Sequence, residues 1–206
     1  MPYLGHDITP LTVDAYMTRW RRKNARPMKG LDKVERRMRH YSRYNLERQE
    51  IVESRWSPSV EFLAAVDALR GPQAWLLITD DWCIDSAYSL PLLVEAVRRR
   101  SDIALHILMR DDNLALLDEY LTDGRRSIPI LAAFDARGTP LFRWGPHPEK
   151  LEQIRCSLQD AGRPGREVSG ATVAWFEGSG ERVVERELAE VFVREGVSRR
   201  SSGGSV

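Results

Sequence analysis

The sequence is poor in cysteine and has no long apolar run. Cys83 and Cys156 are its two cysteines in 206 residues, a number that argues against a disulfide framework and for reduced thiols. No apolar stretch approaches the roughly 20 residues that a membrane-spanning helix needs. The first ten residues also lack the basic start and apolar core of a signal peptide. We therefore expect a soluble, cytoplasmic chain with no membrane partner.

Metal and phosphate-binding motifs are missing as well. The His, Asp and Cys residues show no zinc-ligand spacing, and the chain has no glycine-rich loop of the kind that cradles phosphates. We therefore expect neither a metal nor a cofactor.

The positive charge of the chain is concentrated near its N-terminus. The segment 18–48 contains twelve Arg or Lys residues against three acidic residues, although the net charge of the whole chain is only +1. Such a segment can attract phosphates. Apolar residues interrupt these charges at helical spacing, however, so we interpret them as the solvated face of helices and consider nucleic acid an unlikely partner.

Apolar residues at helical spacing predict three N-terminal helices. The first is expected to start at Thr9-Pro10, where a cap hydroxyl precedes a proline, and the third at Ser57-Pro58. The predicted buried faces are Val13, Tyr16, Met17 and Trp20 in the first helix, Leu31, Val34, Met38 and Tyr41 in the second, and Phe62, Leu63, Val66 and Leu69 in the third. Because each stripe needs an apolar surface to pack against, we expect residues 1–56 to be a packed helical extension.

Apolar runs of strand length then alternate with helical patterns. The predicted strands are 74–79, 103–109, 130–134 and 141–144; the predicted helices are 83–100, 113–121 and one with the stripe Leu151, Ile154 and Leu158. This order predicts an α/β fold with mixed strand directions. Two more helices are expected near 168–175 and 184–192 in a C-terminal extension (161–195), before a disordered tail at 196–206.

Cys83 lies where a predicted strand gives way to a helix. The first turn of a helix has unpaired N–H groups and the positive end of the helix dipole, and both stabilise a thiolate, the reactive form of cysteine. Ligands also bind at the carboxyl ends of strands in an open α/β sheet. The alternative is a free cysteine that packs as a small buried hydrophobic residue. The position alone leaves both interpretations open.

The surrounding motifs resemble those of the thioredoxin superfamily over about residues 57–160. They are Trp82-Cys83 and Ser86 at a strand–helix junction, Ile128-Pro129 before a later strand, and a hairpin that ends at Gly145. More narrowly, "DWCIDSAYSLP", "RDDN", "YLTDGRRSIPI" and "WGPHP" resemble a bacterial group of thioredoxin-like proteins with a Trp-Cys-Gly-Asp site. The resemblance implies a thioredoxin-like fold, a mixed central sheet flanked by helices, with helical extensions at both ends. It also implies a cis Pro129 beside the active cysteine.

Three departures from the thioredoxin pattern affect the chemistry. Ser86 stands where thioredoxins have the second cysteine, so it can donate a hydrogen bond to a Cys83 thiolate but cannot form a disulfide. Leu77 stands where thioredoxins have a buried carboxylate for proton transfer. The acidic residues close to the thiol are Asp80, Asp81 and Asp85. Their negative charge disfavours a thiolate and opposes the helix dipole, and the sequence leaves open which effect dominates.

The remaining candidate residues form a docking surface. The resemblance implies that Trp82, Ile128, Pro129 and Gly145 form an apolar surface for substrate, with an open backbone edge for an extended peptide. Arg110, at the end of the neighbouring strand, is expected to pair with Asp80 or Asp85 or to be an ordinary surface arginine. Three further residues near the site have minor predicted roles. Arg125 and Arg126 are candidate receptors for a carboxylate. His147 is interpreted as a loop residue without chemistry, with a proton carrier that reaches the groove as the alternative.

Two functions follow from these observations. The first is a thiol–disulfide oxidoreductase in which Cys83, assisted by Asp85 and Ser86, forms a mixed disulfide that an external thiol resolves. Its partners would be a disulfide-containing protein or a low-molecular-weight thiol. The alternative is a non-catalytic thioredoxin-fold binding or scaffold module. A Cys83 pKa well below the ordinary value favours the first function, and a pKa well above it favours the second. We expect no disulfide between Cys83 and Cys156.

Overall fold

A computed structural model describes residues 5–198 of the chain. Within them, helices and strands alternate as an α/β fold. The helices are α1 (Val13–Ala25), α2 (Lys33–Arg55), α3 (Val60–Ala68), α4 (Ile84–Arg99), α5 (Leu114–Leu117), α6 (Glu149–Asp160), α7 (Gly165–Trp175) and α8 (Glu181–Ser198), and the strands are β1 (Gln73–Thr79), β2 (Ile103–Met109), β3 (Ile130–Asp135) and β4 (Pro140–Trp144). The predicted strands agree with these to within one residue at each end. The helix predicted for 113–121 is α5 followed by a 3₁₀ turn, Asp118–Tyr120.

The four strands form one mixed sheet in the order β2-β1-β3-β4. The strand β1 pairs in parallel with β2 and antiparallel with β3, and β3 pairs antiparallel with β4. Because side chains alternate across a strand, Trp75 and Leu77 contribute to the larger core on one face while Leu76 and Ile78 contribute to a smaller core on the other. The central strand β1 is buried along its whole length. This is the mixed sheet flanked by helices that the sequence predicts.

The helix α1 starts three residues later than expected. Thr12, rather than Thr9, is its cap, and the Thr12 hydroxyl accepts a hydrogen bond from the Ala15 N–H at 3.1 Å. The preceding residues are extended, since Leu11 forms an antiparallel bridge to Ile107 at the edge of β2. The prediction of the buried face was largely right, because Tyr16, Met17 and Trp20 are all buried. The helix α3 is likewise capped by Ser59 and not by Ser57.

The predicted buried face of α2 was wrong. Val34 and Tyr41 are 58% and 51% exposed, and the buried face consists instead of Ser42, Asn45, Gln49 and Val52. Ser42 faces the protein because its hydroxyl and carbonyl oxygens both accept from the Trp20 indole N–H, each at 3.0 Å. A polar network therefore sets the orientation of α2, and hydrophobic periodicity cannot detect such a network.

The C-terminal helix α8 packs against α3 and the sheet through buried Val184, Leu188 and Phe192. It continues to Ser198, so the assignment of 196–198 to a disordered tail was wrong. A side chain on Gly196 would lie 3.0 Å from the Ala68 carbonyl oxygen, so this close approach of α8 to α3 favours glycine. Positions 199–206 of the predicted tail lie outside the described residues. Within residues 5–198, no helix is both long and apolar enough to cross a membrane.

Candidate functional site

Cys83 occupies the N-cap position of α4, directly after the turn that follows β1. Its side chain is buried, and its Sγ donates a hydrogen bond to the Ile128 carbonyl oxygen at 3.3 Å. The Ile128–Pro129 peptide bond is cis, as the family resemblance implies. The loop before β3 therefore lies directly against the thiol.

The thiol of Cys83 is strongly stabilised in its protonated form. Burial, and after it the negative charge of Asp85, raise the pKa of Cys83 to about 12. Hydrogen bonds from Ser86 act in the opposite direction but do not compensate. The sequence left open whether the acidic residues or the helix dipole dominate at the thiol. Burial together with the charge of Asp85 raises the pKa of Cys83 by more than the dipole lowers it. The free protein holds a thiol at neutral pH.

Asp85 and His147 meet in the cavity that contains Cys83. This cavity has a volume of about 280 Å³, and both residues line it together with the thiol. Asp85 Oδ1 lies 3.6 Å from His147 Nδ1, both side chains are nine-tenths buried, and neither atom has a hydrogen-bond partner among the described residues. Burial raises the pKa of Asp85, while the nearby His147 opposes that rise. A carboxyl group and an imidazole therefore face each other beside the thiol.

His147 also connects this cavity to the surface. Its Nε2 forms a short hydrogen bond with Glu152 Oε2, and the Glu152 carboxylate is partly exposed on α6. Burial alone would raise the pKa of Glu152, but hydrogen bonds from His147 and Cys156 lower it. His147 does lie on a loop, as predicted, and its contacts with two carboxyl groups are those that the proton-carrier alternative requires. The only signal in the sequence was its place in "WGPHP", between the last strand and the following helix.

Ser86 is buried in the first turn of α4, where a hydrogen bond restrains its hydroxyl group. Its Oγ accepts a hydrogen bond from Thr79 Oγ1 at 2.5 Å. Ser86 also lowers the pKa of Cys83 through hydrogen bonding. It therefore favours the thiolate, as the sequence suggested, without offering a second sulfur.

The turn that carries the site is held by the N-terminal helices. Lys23 Nζ on α1 contacts both carboxylate oxygens of Asp81, at 2.6 and 2.7 Å. Asn45 on α2 donates to the Asp81 carbonyl at 3.2 Å. Asp80 is also buried, and burial followed by the charge of Asp81 raises the pKa of Asp80 to about 6. Sequence reasoning missed the Lys23–Asp81 pair because its partners lie 58 positions apart.

Arg110 does not pair with Asp80 or Asp85, so of the two alternatives for this residue the ordinary arginine remains. Its guanidinium contacts the Asp111 carboxylate at 2.5 Å and lies 5.6 Å from the centre of the Trp82 ring. Asp111 follows directly in the chain and is mostly exposed, whereas Asp85 is enclosed in the thiol cavity. Arg110 therefore supports the Trp82 side of the docking surface and does not neutralise the acidic residues at the thiol.

Gly145 lets the end of β4 approach the loop that faces the thiol. Its φ is +104°, and a side chain there would lie 2.1 Å from the Pro129 carbonyl oxygen. Arg126 lines the thiol cavity but already pairs with Asp118, with hydrogen bonds of 2.7 and 2.8 Å. Both cysteines are free, as expected, and Cys156 Sγ donates to Glu152 Oε1 at 3.3 Å. Across residues 5–198, His, Cys, Asp and Glu form no group that could hold a metal ion.

Comparisons with known proteins agree with this geometry. A family model described as thioredoxin matches residues 31–161. A comparison with curated proteins finds no match. Among solved structures, an HIV epitope scaffold is 16% identical with a TM-score of 0.54, covering 73% of this chain and 83% of its own. A protein of unknown function from Pseudomonas aeruginosa is 18% identical with a TM-score of 0.51, covering 91% of this chain and 99% of its own.

The two solved structures, at these identities, show the fold alone. The family model goes further, because it spans more than half of the chain and includes β1, Cys83, Pro129 and Gly145. The chain therefore belongs to the thioredoxin family.

Proposed function

We propose that the protein is a thiol–disulfide oxidoreductase with Cys83 as its single redox nucleophile. The observation that carries this proposal is the buried Asp85–His147 pair beside the thiol, with polar atoms of both residues left without partners in the thiol cavity. Burying polar atoms without hydrogen bonds costs free energy, and buried pairs of titratable groups in a cavity are typical of proton-handling sites. The site would act in a reducing compartment, the cytoplasm.

The proposed reaction has two steps. In the first, Cys83 attacks one sulfur of a disulfide, a Cys83–sulfur bond forms, and the substrate's sulfur–sulfur bond breaks. The proton of the thiol ends on the departing sulfur, which leaves as a free thiol. In the second step an external thiol attacks the mixed disulfide, regenerates Cys83 and is oxidised in its place. Ser86 stands where a resolving cysteine would act, so the second molecule is required.

Asp85 and His147 supply the proton transfer in this scheme. Asp85 takes the proton of Cys83 as the attack proceeds, and the carboxyl group then returns it to the departing sulfur. His147 and Glu152 link the same carboxyl group to the protein surface. The pair would therefore replace the buried carboxylate that thioredoxins have where this chain has Leu77.

The second candidate is a non-catalytic binding or scaffold module. It is favoured by the Cys83 pKa of about 12, which keeps the thiol protonated, and by the absence of a second cysteine at Ser86. On this view the docking surface of Trp82, Ile128, Pro129 and Gly145 would bind a partner without exchange. Membership of the Trp-Cys-Gly-Asp group is a prediction compatible with either function.

Mass spectrometry of mixed disulfides separates the two candidates. Because Cys156 is partly exposed, the assay uses a Cys156→Ser parent in which Cys83 is the remaining thiol. Incubation with glutathione disulfide should add one glutathione to the parent and none to the Cys83→Ser, Cys156→Ser double variant. An excess of reduced glutathione should then remove the adduct. A folded parent that stays unmodified even at alkaline pH would reject the oxidoreductase and favour the binding module.

A further inference from the structure

A second depression adjoins the thiol cavity. It is a groove of about 700 Å³ between α2, the start of α4 and α7. Its lining includes Met38, Tyr41, Tyr44, Trp82, Arg155 and Val173. Trp82 and Ile84, the two neighbours of Cys83 in the chain, line the groove and the thiol cavity alike. A molecule in this groove would therefore lie next to the reactive sulfur.

The wall of the groove is mainly apolar and aromatic, and it stays open to solvent. Tyr41 is half exposed on α2 and presents its ring to the groove. Met38, Trp82 and Val173 supply further apolar surface. The volume lies within the range of small-molecule sites, roughly 300–1,000 Å³.

Several polar groups of the groove are already used within the protein. Asn45 donates to the Asp81 carbonyl, and the Tyr44 hydroxyl donates to Glu177 at 3.0 Å. The Thr172 hydroxyl donates to the Val168 carbonyl and accepts from Arg155. Few groups are left to pair with the backbone of an extended peptide, which needs regular hydrogen-bond partners. This favours a ligand held mainly by apolar contact.

Within residues 5–198, the groove is lined by basic side chains and by no acidic ones. Among the described residues its ionisable lining consists of Arg155, His40 and two tyrosines, with no Asp or Glu. Arg155 also lines the thiol cavity, so its guanidinium stands at the junction of the two spaces. The nearest carboxylate to it, Glu152, is 4.0 Å away and is engaged by His147. A guanidinium at such a junction is suited to a carboxylate or similar anionic group.

We propose that this groove binds a small amphipathic anion, with an aromatic or aliphatic body against Tyr41 and Trp82 and its anionic group at Arg155. Resting on the proposed function, the natural ligand would be a low-molecular-weight thiol or its disulfide, whose sulfur reaches Cys83 from the groove. The groove consists largely of α2 and α7, outside the strands and helices of the thioredoxin sheet. The extensions would thus determine which thiol the enzyme uses.

The binding part of the proposal is tested without the thiol. In a Cys83→Ser variant, anilinonaphthalene sulfonate, an aromatic anion that fluoresces in apolar sites, should bind saturably with one site per chain. Tyr41→Ala and Arg155→Gln should each weaken its binding at least fivefold, and Arg155→Lys should restore part of the loss. Val60→Ala, which truncates an exposed apolar residue on α3 outside the groove, should leave binding unchanged. Melting curves must show that each variant is folded.

A neutral probe separates charge from apolar contact. Phenylnaphthylamine, which lacks the sulfonate, should lose affinity in Tyr41→Ala but not in Arg155→Gln. If Tyr41→Ala, Val60→Ala and the parent bind anilinonaphthalene sulfonate with equal affinity, the groove is not the binding site. Equal loss of both probes in Arg155→Gln would overturn the anionic part of the proposal. These outcomes do not depend on Cys83, so they stand even if the exchange activity is absent.

The link to the thiol needs a second assay. In the Cys156→Ser parent, Cys83 is reacted separately with the aromatic carboxylate disulfide dithiobis(nitrobenzoate) and with hydroxyethyl disulfide. The first is intrinsically more reactive because its departing thiol is more acidic, so each rate is compared with the rate of the same reagent in the variant. Tyr41→Ala should slow the first reaction at least fivefold and leave the second unchanged. Equal slowing of both would show that the substitution disturbs Cys83 itself, and this would overturn the groove as a substrate site.

Discussion

Among single residues, Asp80 shows a conflict between charge and burial that a stability measurement can detect. Its pKa is raised to about 6, chiefly by burial, from an ordinary value of 3.8. The folded state therefore binds a proton that the unfolded chain has already released between about pH 4 and pH 6. Stability falls as the pH rises through that window, and above it the buried charge costs roughly 3 kcal/mol, since a tenfold change in proton affinity is about 1.4 kcal/mol.

Asp80→Asn should remove that cost. The carbonyl oxygen of the introduced amide can still accept from the Asp81 N–H, as the Asp80 carboxylate does at 2.9 Å. We expect the variant to be about 1–3 kcal/mol more stable than the parent at pH 7.5 and indistinguishable from it at pH 4. Urea denaturation at both pH values measures this. A variant that is less stable at pH 7.5 would show that the Asp80 charge is used in the folded protein.

Asp85 has two opposite effects on Cys83 that one substitution can separate. Its charge is the second cause of the raised Cys83 pKa, so Asp85→Asn should lower that pKa from about 12 while burial keeps it above 9.0. If Asp85 also accepts the proton of the thiol, disulfide exchange at neutral pH should nevertheless become slower. Titration of the thiolate absorbance reports the Cys83 pKa, and the rate of disulfide exchange reports the proton transfer. Both are measured in the Cys156→Ser parent with and without Asp85→Asn.

The matched control for this experiment is Asp14→Asn, an exposed acidic residue at the start of α1. It should change neither the absorbance titration nor the exchange rate. Faster exchange in Asp85→Asn would mean that Asp85 acts only as a repelling charge. The proton-transfer role of the Asp85–His147 pair would then be wrong.

At the scale of elements, α1 and α2 hold the turn that precedes Cys83. The Asp81 carboxylate is buried while the Lys23 side chain is about one-third exposed. Removing the ammonium would leave a buried carboxylate without its cation, a change that costs several kcal/mol in fully buried pairs and less here, because Lys23 is partly solvated. Lys23→Met should therefore lower the free energy of unfolding by about 2 kcal/mol.

Arg19→Met, on the same helix, is the control for that prediction. Arg19 lies 3.9 Å from Asp112 with both side chains exposed, and such surface pairs contribute about 0–1 kcal/mol. Urea denaturation should show a clearly larger loss for Lys23→Met than for Arg19→Met. Equal losses would mean that α1 contributes only its apolar face and does not anchor the turn through Asp81.

Elements whose sequence signal is local were the ones that could be predicted. The strand β1 has a continuous apolar run, 74–78, so a strand there could be predicted from composition alone. The orientation of α2 could not, because Ser42 and Asn45 are buried through bonds to distant groups, Trp20 and Asp81. The candidate site residues divide in the same way. Cys83 and Pro129 belong to sequence motifs, whereas the contact between His147 and Asp85 forms only in the folded chain.

At the scale of the whole molecule, the extensions have two roles around one site. The helices α1 and α2 fix the turn that precedes Cys83, while α2 and α7 form the groove beside it. The matched family region, 31–161, already includes α2. The division into an N-terminal extension (1–56), a central domain (57–160) and a C-terminal extension (161–195) stays a prediction. Both extensions pack on the central domain, through α2 on α4 and α8 on α3.

The central claim is that Cys83 exchanges disulfides and depends on an external thiol. Its direct test is the turnover of hydroxyethyl disulfide by the Cys156→Ser parent at increasing concentrations of reduced glutathione. Turnover should require Cys83 and rise with the glutathione concentration, because Ser86 cannot resolve the mixed disulfide. Ser86→Cys should be faster and less dependent on glutathione, since an intramolecular thiol has a very high effective concentration. Unchanged turnover in Cys83→Ser would contradict the account.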